Sequence, residues 1–79
     1  MIVQFVDAQG RPIVDATVSV IESPQPIPDL GMLTDDAGEI NIDVTAAGTY
    51  GFSLFHNGQT HRATSTIRPS DTKVRLWVS

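Results

Sequence analysis

Apolar and polar residues trade places at every second position along this chain, and the alternation returns after each turn. Val3 and Phe5 alternate with Ile2, Gln4 and Val6; Ala16, Val18 and Val20 with Thr17, Ser19 and Ile21; Ile40, Ile42 and Val44 with Glu39, Asn41 and Asp43. Tyr50, Phe52 and Leu54 alternate with Gly51, Ser53 and Phe55, and Val74, Leu76 and Val78 with Lys73, Arg75 and Trp77. A period of two puts one set on each side of a strand, whereas no window of about 11 residues carries the i, i+3, i+4, i+7 pattern of an amphipathic helix.

Turn chemistry separates these runs. Asp7-Ala8-Gln9-Gly10-Arg11-Pro12 closes the first strand, and the second runs to about Glu22. Ser23-Pro24-Gln25-Pro26-Ile27-Pro28-Asp29 carries three prolines that cannot donate to a ladder, so it reads as an extended crossing loop. A short strand from Gly31 to Thr34 follows, then Asp35-Asp36-Ala37-Gly38 as a tight hairpin turn, and Ala46-Ala47-Gly48 as another. Asn57-Gly58 is the strongest hairpin signal. With a two-residue loop there, His56 faces Gln59 and Leu54 faces His61; Ala63, Ser65 and Ile67 point inward, while Thr60, Arg62, Thr64, Thr66 and Arg68 point outward. Pro69-Ser70-Asp71 ends that strand. About seven short strands with turns every 8–12 residues predict an all-β, antiparallel Ig-like Greek-key sandwich without significant helix, one domain over residues 1–79.

Three blocks of the chain carry a resemblance. They are Phe5-x-Asp7-x-x-Gly10-x-Pro12-Ile13-x-x-Ala16-x-Val18-x-Val20, then Thr34-Asp35-Asp36-Ala37-Gly38-Glu39-Ile40-x-Ile42, then Gly48-Thr49-Tyr50-x-Phe52-x-Leu54. In this order they resemble the carboxypeptidase regulatory-like domains, a family of transthyretin-like (prealbumin-like) β-sandwiches, over nearly the whole chain. The sequence departs from that pattern at Asp15, where Gly usually precedes the small Ala, and at Gln59, often aromatic. The resemblance implies a non-catalytic module of a larger bacterial protein or assembly, acting as spacer, folding aid or docking surface, in a family often found outside the cytoplasm. One enzymatic branch of the fold hydrolyses 5-hydroxyisourate with several histidines, an arginine and a C-terminal Tyr-Arg-Gly-Ser; this chain ends Leu76-Trp77-Val78-Ser79.

Composition narrows the chemistry. With 79 residues and no Cys, the chain has no disulfide, thiolate site or Cys nucleophile to draw on. A net charge of −4 argues against general nucleic-acid binding, and no apolar stretch reaches the ~20 residues of a membrane-spanning helix. The first seven residues lack the basic and apolar regions of a signal peptide, so a natural start at Met1 implies the cytoplasm. No cofactor is indicated. His56 and His61, diagonal across the hairpin with Cα atoms roughly 7–8 Å apart, lack an evident third metal ligand. Asp35, Asp36 and Glu39 are mis-spaced for a calcium loop of the EF-hand type. Ser53, His56 and Asp43 contain the groups of a triad but no nucleophile elbow. These readings predict that the protein is not an enzyme.

The charge is unevenly spread. Residues 1–61 hold one Arg and eight acids, and residues 62–79 hold four bases and one acid. Arg62, Arg68, Lys73, Arg75 and Trp77 all fall on the outward side of their strands and form one basic face if those strands are neighbours. The expected partner surface therefore consists of Phe55, Trp77, Arg62, Arg75, Pro26 and Ile27, meeting another protein, a neighbouring domain or a second copy of the chain. An alternative is carbohydrate stacking on the surface aromatics.

Overall fold

The computed structural model describes residues 1–26 and 31–78. It is a β-sandwich of seven strands, with no helix among the described residues: β1 (Ile2–Val6), β2 (Thr17–Glu22), β3 (Met32–Leu33), β4 (Glu39–Asn41), β5 (Gly48–His56), β6 (Gln59–Ile67) and β7 (Lys73–Trp77). One sheet has the order β4-β1-β7 and the other β3-β2-β5-β6. Alternation supplies the core directly. Val3, Phe5, Ile40 and Leu76 of the first sheet face Val18, Tyr50, Phe52, Leu54, Ala63 and Ile67 of the second, and all are buried. The Phe5 and Phe52 rings meet edge to face at 5.5 Å, joining the central strands of the two sheets.

The Asn57-Gly58 hairpin forms as its sequence predicts. Both residues have positive φ (51° and 76°), and the pairs run in unbroken register from His56–Gln59 to Gly48–Ile67. Three other features correct the sequence reading. First, the sandwich is not wholly antiparallel: β7 pairs with β1 in parallel, from Ile2–Lys73 to Val6–Trp77. Second, the turn at Asp35–Gly38 is tight but joins no hairpin. Asp35 Oδ1 accepts from the N–H groups of Ala37 and Glu39, yet β3 belongs to β2 and β4 to β1, so the turn carries the chain from one sheet to the other. Third, Val6 is buried although it lies on the outer side of β1, because Trp77 registers beside it and Pro12 bridges it.

The turn residues explain two of the odd positions. Asp15 occupies the left-handed region at φ 58°, the conformation for which glycine is the usual choice. Its N–H donates to the Thr34 carbonyl, and the buried Thr34 Oγ1 accepts from Ala16 N–H at 2.9 Å. Gln25, between Pro24 and Pro26, anchors the crossing loop. Its Oε1 accepts from the N–H groups of Thr45 and Ala46 at 2.6 and 2.8 Å and lies 2.8 Å from the Tyr50 hydroxyl; its Nε2 donates to the Asp43 carbonyl. Pro24 packs so closely on Gly48 that a Cβ there would come within 3.0 Å of the proline ring.

Candidate functional site

The sandwich divides the residues expected to form one partner surface. Trp77 and Arg75 project from the three-stranded sheet, whereas Phe55 and Arg62 project from the outer side of the four-stranded sheet. The expected single basic face does not form, because β6 and β7 border different sheets and their outward sides look in opposite directions. Pro26 is exposed on the crossing loop, beside an open hollow lined by residues 20–26; Ile27 lies outside the described residues. Alternation told which side of a strand each side chain takes, but not which sheet the strand joins.

On the three-stranded face, Trp77 is 60 % exposed, and its six-membered ring leans on the first turn, 3.5 Å from where a Cβ of Gly10 would stand. Arg75 lies two residues before it on the same face and donates from Nε to Gln4 Oε1 at 3.2 Å, while Gln4 Nε2 donates to the Ala37 carbonyl. Lys73 is neutralised by Glu39 at 2.9 Å, as Arg11 is by Asp7 and Arg68 by Asp71. Among the described residues, Arg62 and Arg75 have no carboxylate partner.

Among the described residues, the four-stranded face carries three more exposed large apolar side chains, Leu33 (67 %), Phe55 (54 %) and Ile21 (52 %). Leu33 was absent from the expected set. Ile21 already stood on the polar side of its alternation with Thr17 and Ser19, which is the signal that could have found it.

Neither family models nor curated proteins match the chain.

The two histidines come together at one end of the sandwich. With Asp7, Ala8, Gln9, Pro12, Ile13, Val14 and Val78 they line a groove of about 490 Å³. No group of three or more His, Asp or Glu side chains converges to hold a metal among the described residues. Ser53 and His56, three residues apart on β5, lie on opposite faces, so the Ser53–His56–Asp43 set is not assembled.

At this end the Asp7 carboxylate is held by the first turn. The N–H of Arg11 holds it below the ordinary carboxylate range, and partial desolvation opposes that pull; the N–H of Gln9 and the Arg11 guanidinium lower it further. A lowered folded-state value contributes stability above the unfolded pKa of about 3.9 and loses it as pH falls through the folded value. Thermal denaturation is therefore expected to show wild type losing stability as pH drops below about 4, and Asp7→Asn removing part of that slope. An unchanged slope in Asp7→Asn would contradict the assignment.

Proposed function

We propose that this chain is a non-catalytic protein-interaction module, a carboxypeptidase regulatory-like domain in the family sense, that docks another protein or a neighbouring domain. The observation that carries the reading is Trp77: a large aromatic, mostly exposed, on an edge strand, already seated against the Gly10 turn. An indole fixed before binding loses little rotamer freedom on contact, and Trp and Arg are the residue types most enriched where binding energy concentrates. Arg75, held by Gln4 and without an ion-pair partner, offers a charge beside it. The two-sheet sandwich and the glycine-like backbone of Asp15 support the family likeness.

The test is affinity capture with the wild-type domain and with folded Trp77→Ser and Phe55→Ser variants as separate baits. A partner retained by wild type and by Phe55→Ser but lost by Trp77→Ser is expected, with a loss of about tenfold or more in affinity for a hot-spot Trp. Equal capture by Trp77→Ser would remove Trp77 from the site. Titration of oligosaccharides against the fluorescence of Trp77, the single Trp of the chain, separates the sugar-binding alternative, which requires a shift in emission.

A further inference from the structure

We propose that the outer face of the four-stranded sheet binds a second copy of the same chain. The two sheets would pack face to face about a two-fold axis running along the strands between β2 and β5. This surface lies on the opposite side of the sandwich from Trp77, so it stands or falls independently of the proposed function. Three of the four large apolar side chains exposed among the described residues, Ile21, Leu33 and Phe55, lie on it, among Thr17, Ser19, Ser53, Thr60 and Thr64. An apolar patch set among small polar residues is the usual mark of an association surface.

The register selects the occupant. Thr17 faces Leu33 on one side and Phe55 on the other, and Phe55 faces Thr60. One row across the sheet thus reads Leu33, Thr17, Phe55, Thr60, alternately large and small. Further along the strands, at the bulge in β2, Glu22 registers opposite Gly51 and, with Ile21, covers it: a Cβ on Gly51 would sit 3.1 Å from Glu22 Cβ and 3.5 Å from Ile21 Cγ1. A two-fold axis along the strands exchanges β2 with β5 and β3 with β6 and preserves position along the strands. It lays Phe55 over Thr17 of the second copy and Leu33 over Thr60. Phe55 and Leu33 each meet a small residue, the interdigitation that sheets packed about 10 Å apart require.

Charge agrees with the same axis. Arg62 on β6 and Glu22 at the end of β2 both border this face, and neither has an ion-pair partner among the described residues. The axis brings each Arg62 about one strand spacing (~4.8 Å) and one pleat repeat (~7 Å) in the plane, plus the ~10 Å between sheets, from Glu22 of the second copy, roughly 13 Å between backbones. Arginine and glutamate side chains span that offset together. Three strands of at least six residues and the two-residue β3, about 4.8 Å apart, give a footprint on the order of 300 Å² per copy. A standard interface buries about 800 Å² per partner, so the dimer is expected to be weak.

Sedimentation equilibrium of the full chain from ~10 μM to ~1 mM, the range in which a weak dimer shows, tests this. The expected result is a monomer–dimer equilibrium that Phe55→Asp and Thr17→Arg each weaken by about tenfold or more, while Trp77→Ser leaves it unchanged. Arg62→Glu weakens it, and adding Glu22→Arg restores it. Circular dichroism confirms that each variant is folded. Amide chemical shifts of wild type on dilution give a readout that needs no variant, and are expected to move at Thr17, Ile21, Leu33 and Phe55. A chain still monomeric at ~1 mM overturns the proposal. So does a dimer insensitive to Phe55→Asp but lost in Thr64→Pro, the signature of edge-to-edge pairing through β6, or dilution shifts confined to β7.

Discussion

Gly38→Ala is expected to cost about 2–4 kcal/mol of folding free energy and to lower the melting temperature by more than about 10 °C. Two separate effects add here. Gly38 has φ 72°, where an L side chain costs about 1–2 kcal/mol. A Cβ there would also stand 2.7 Å from the Phe5 carbonyl oxygen and 3.0 Å from Ile13 N, both backbone atoms that cannot swing aside. Phe5 N–H donates to the Gly38 carbonyl at 2.8 Å, and Ile13 N–H donates to the Phe5 carbonyl at 3.0 Å, so relieving the clash strains two hydrogen bonds at once. Gly58→Ala is the internal control. Its φ is 76°, nearly the same, but nothing lies within 4 Å of the added Cβ. Urea denaturation of both variants isolates the steric part: Gly58→Ala should lose only about 1–2 kcal/mol. Equal losses would mean that the Asp35–Gly38 turn does not dock on β1 as described.

Gly38 also shows what the sequence could and could not convey. Its turn was legible from Asp35 and Gly38 themselves, because Asx turns and positive φ are local properties. Its role as the bridge between sheets was not, because the contact is made with Phe5, more than thirty residues away. The same division holds elsewhere. The β5–β6 pairing was readable to the residue, since Asn57-Gly58 fixes the register of everything that follows it. The parallel pairing of β1 with β7 was not, since no turn connects them and alternation carries no information on strand direction. Alternation correctly put Arg62, Phe55, Arg75 and Trp77 outside, yet the topology assigns the first two and the last two to different sheets. Gln25 carried no signal beyond being a lone amide among prolines; the five loop and core groups it serves are gathered only by the fold.

The ring pair at the centre of the sandwich sets the other large expectation. Phe52→Ala should destabilise by about 3–5 kcal/mol, against a total of roughly 4–12 kcal/mol for a domain of this size. Phe52 is fully buried on β5, and its cross-strand neighbours are Val20 on one side and the small Ala63 on the other. Neither can move into the space the ring leaves, because both are fixed in the ladders of the same sheet. The ring's other contact is Phe5 on β1, edge to face with an interplanar angle of 77°, and this is contact between sheets, not within one. Removing either ring therefore leaves the remaining one facing a void at the point where the layers are joined. A double-mutant cycle of Phe5→Leu and Phe52→Leu is expected to return a coupling of about 0.5–1.5 kcal/mol by urea denaturation. Leucine keeps most of the apolar volume, so the cycle reads ring geometry more than cavity size. Strict additivity would show that the rings do not meet, and a loss below about 2 kcal/mol in Phe52→Ala would show that the core closes over the missing side chain. Either result would place the strength of the sandwich in its ladders instead of in the packing between its two sheets.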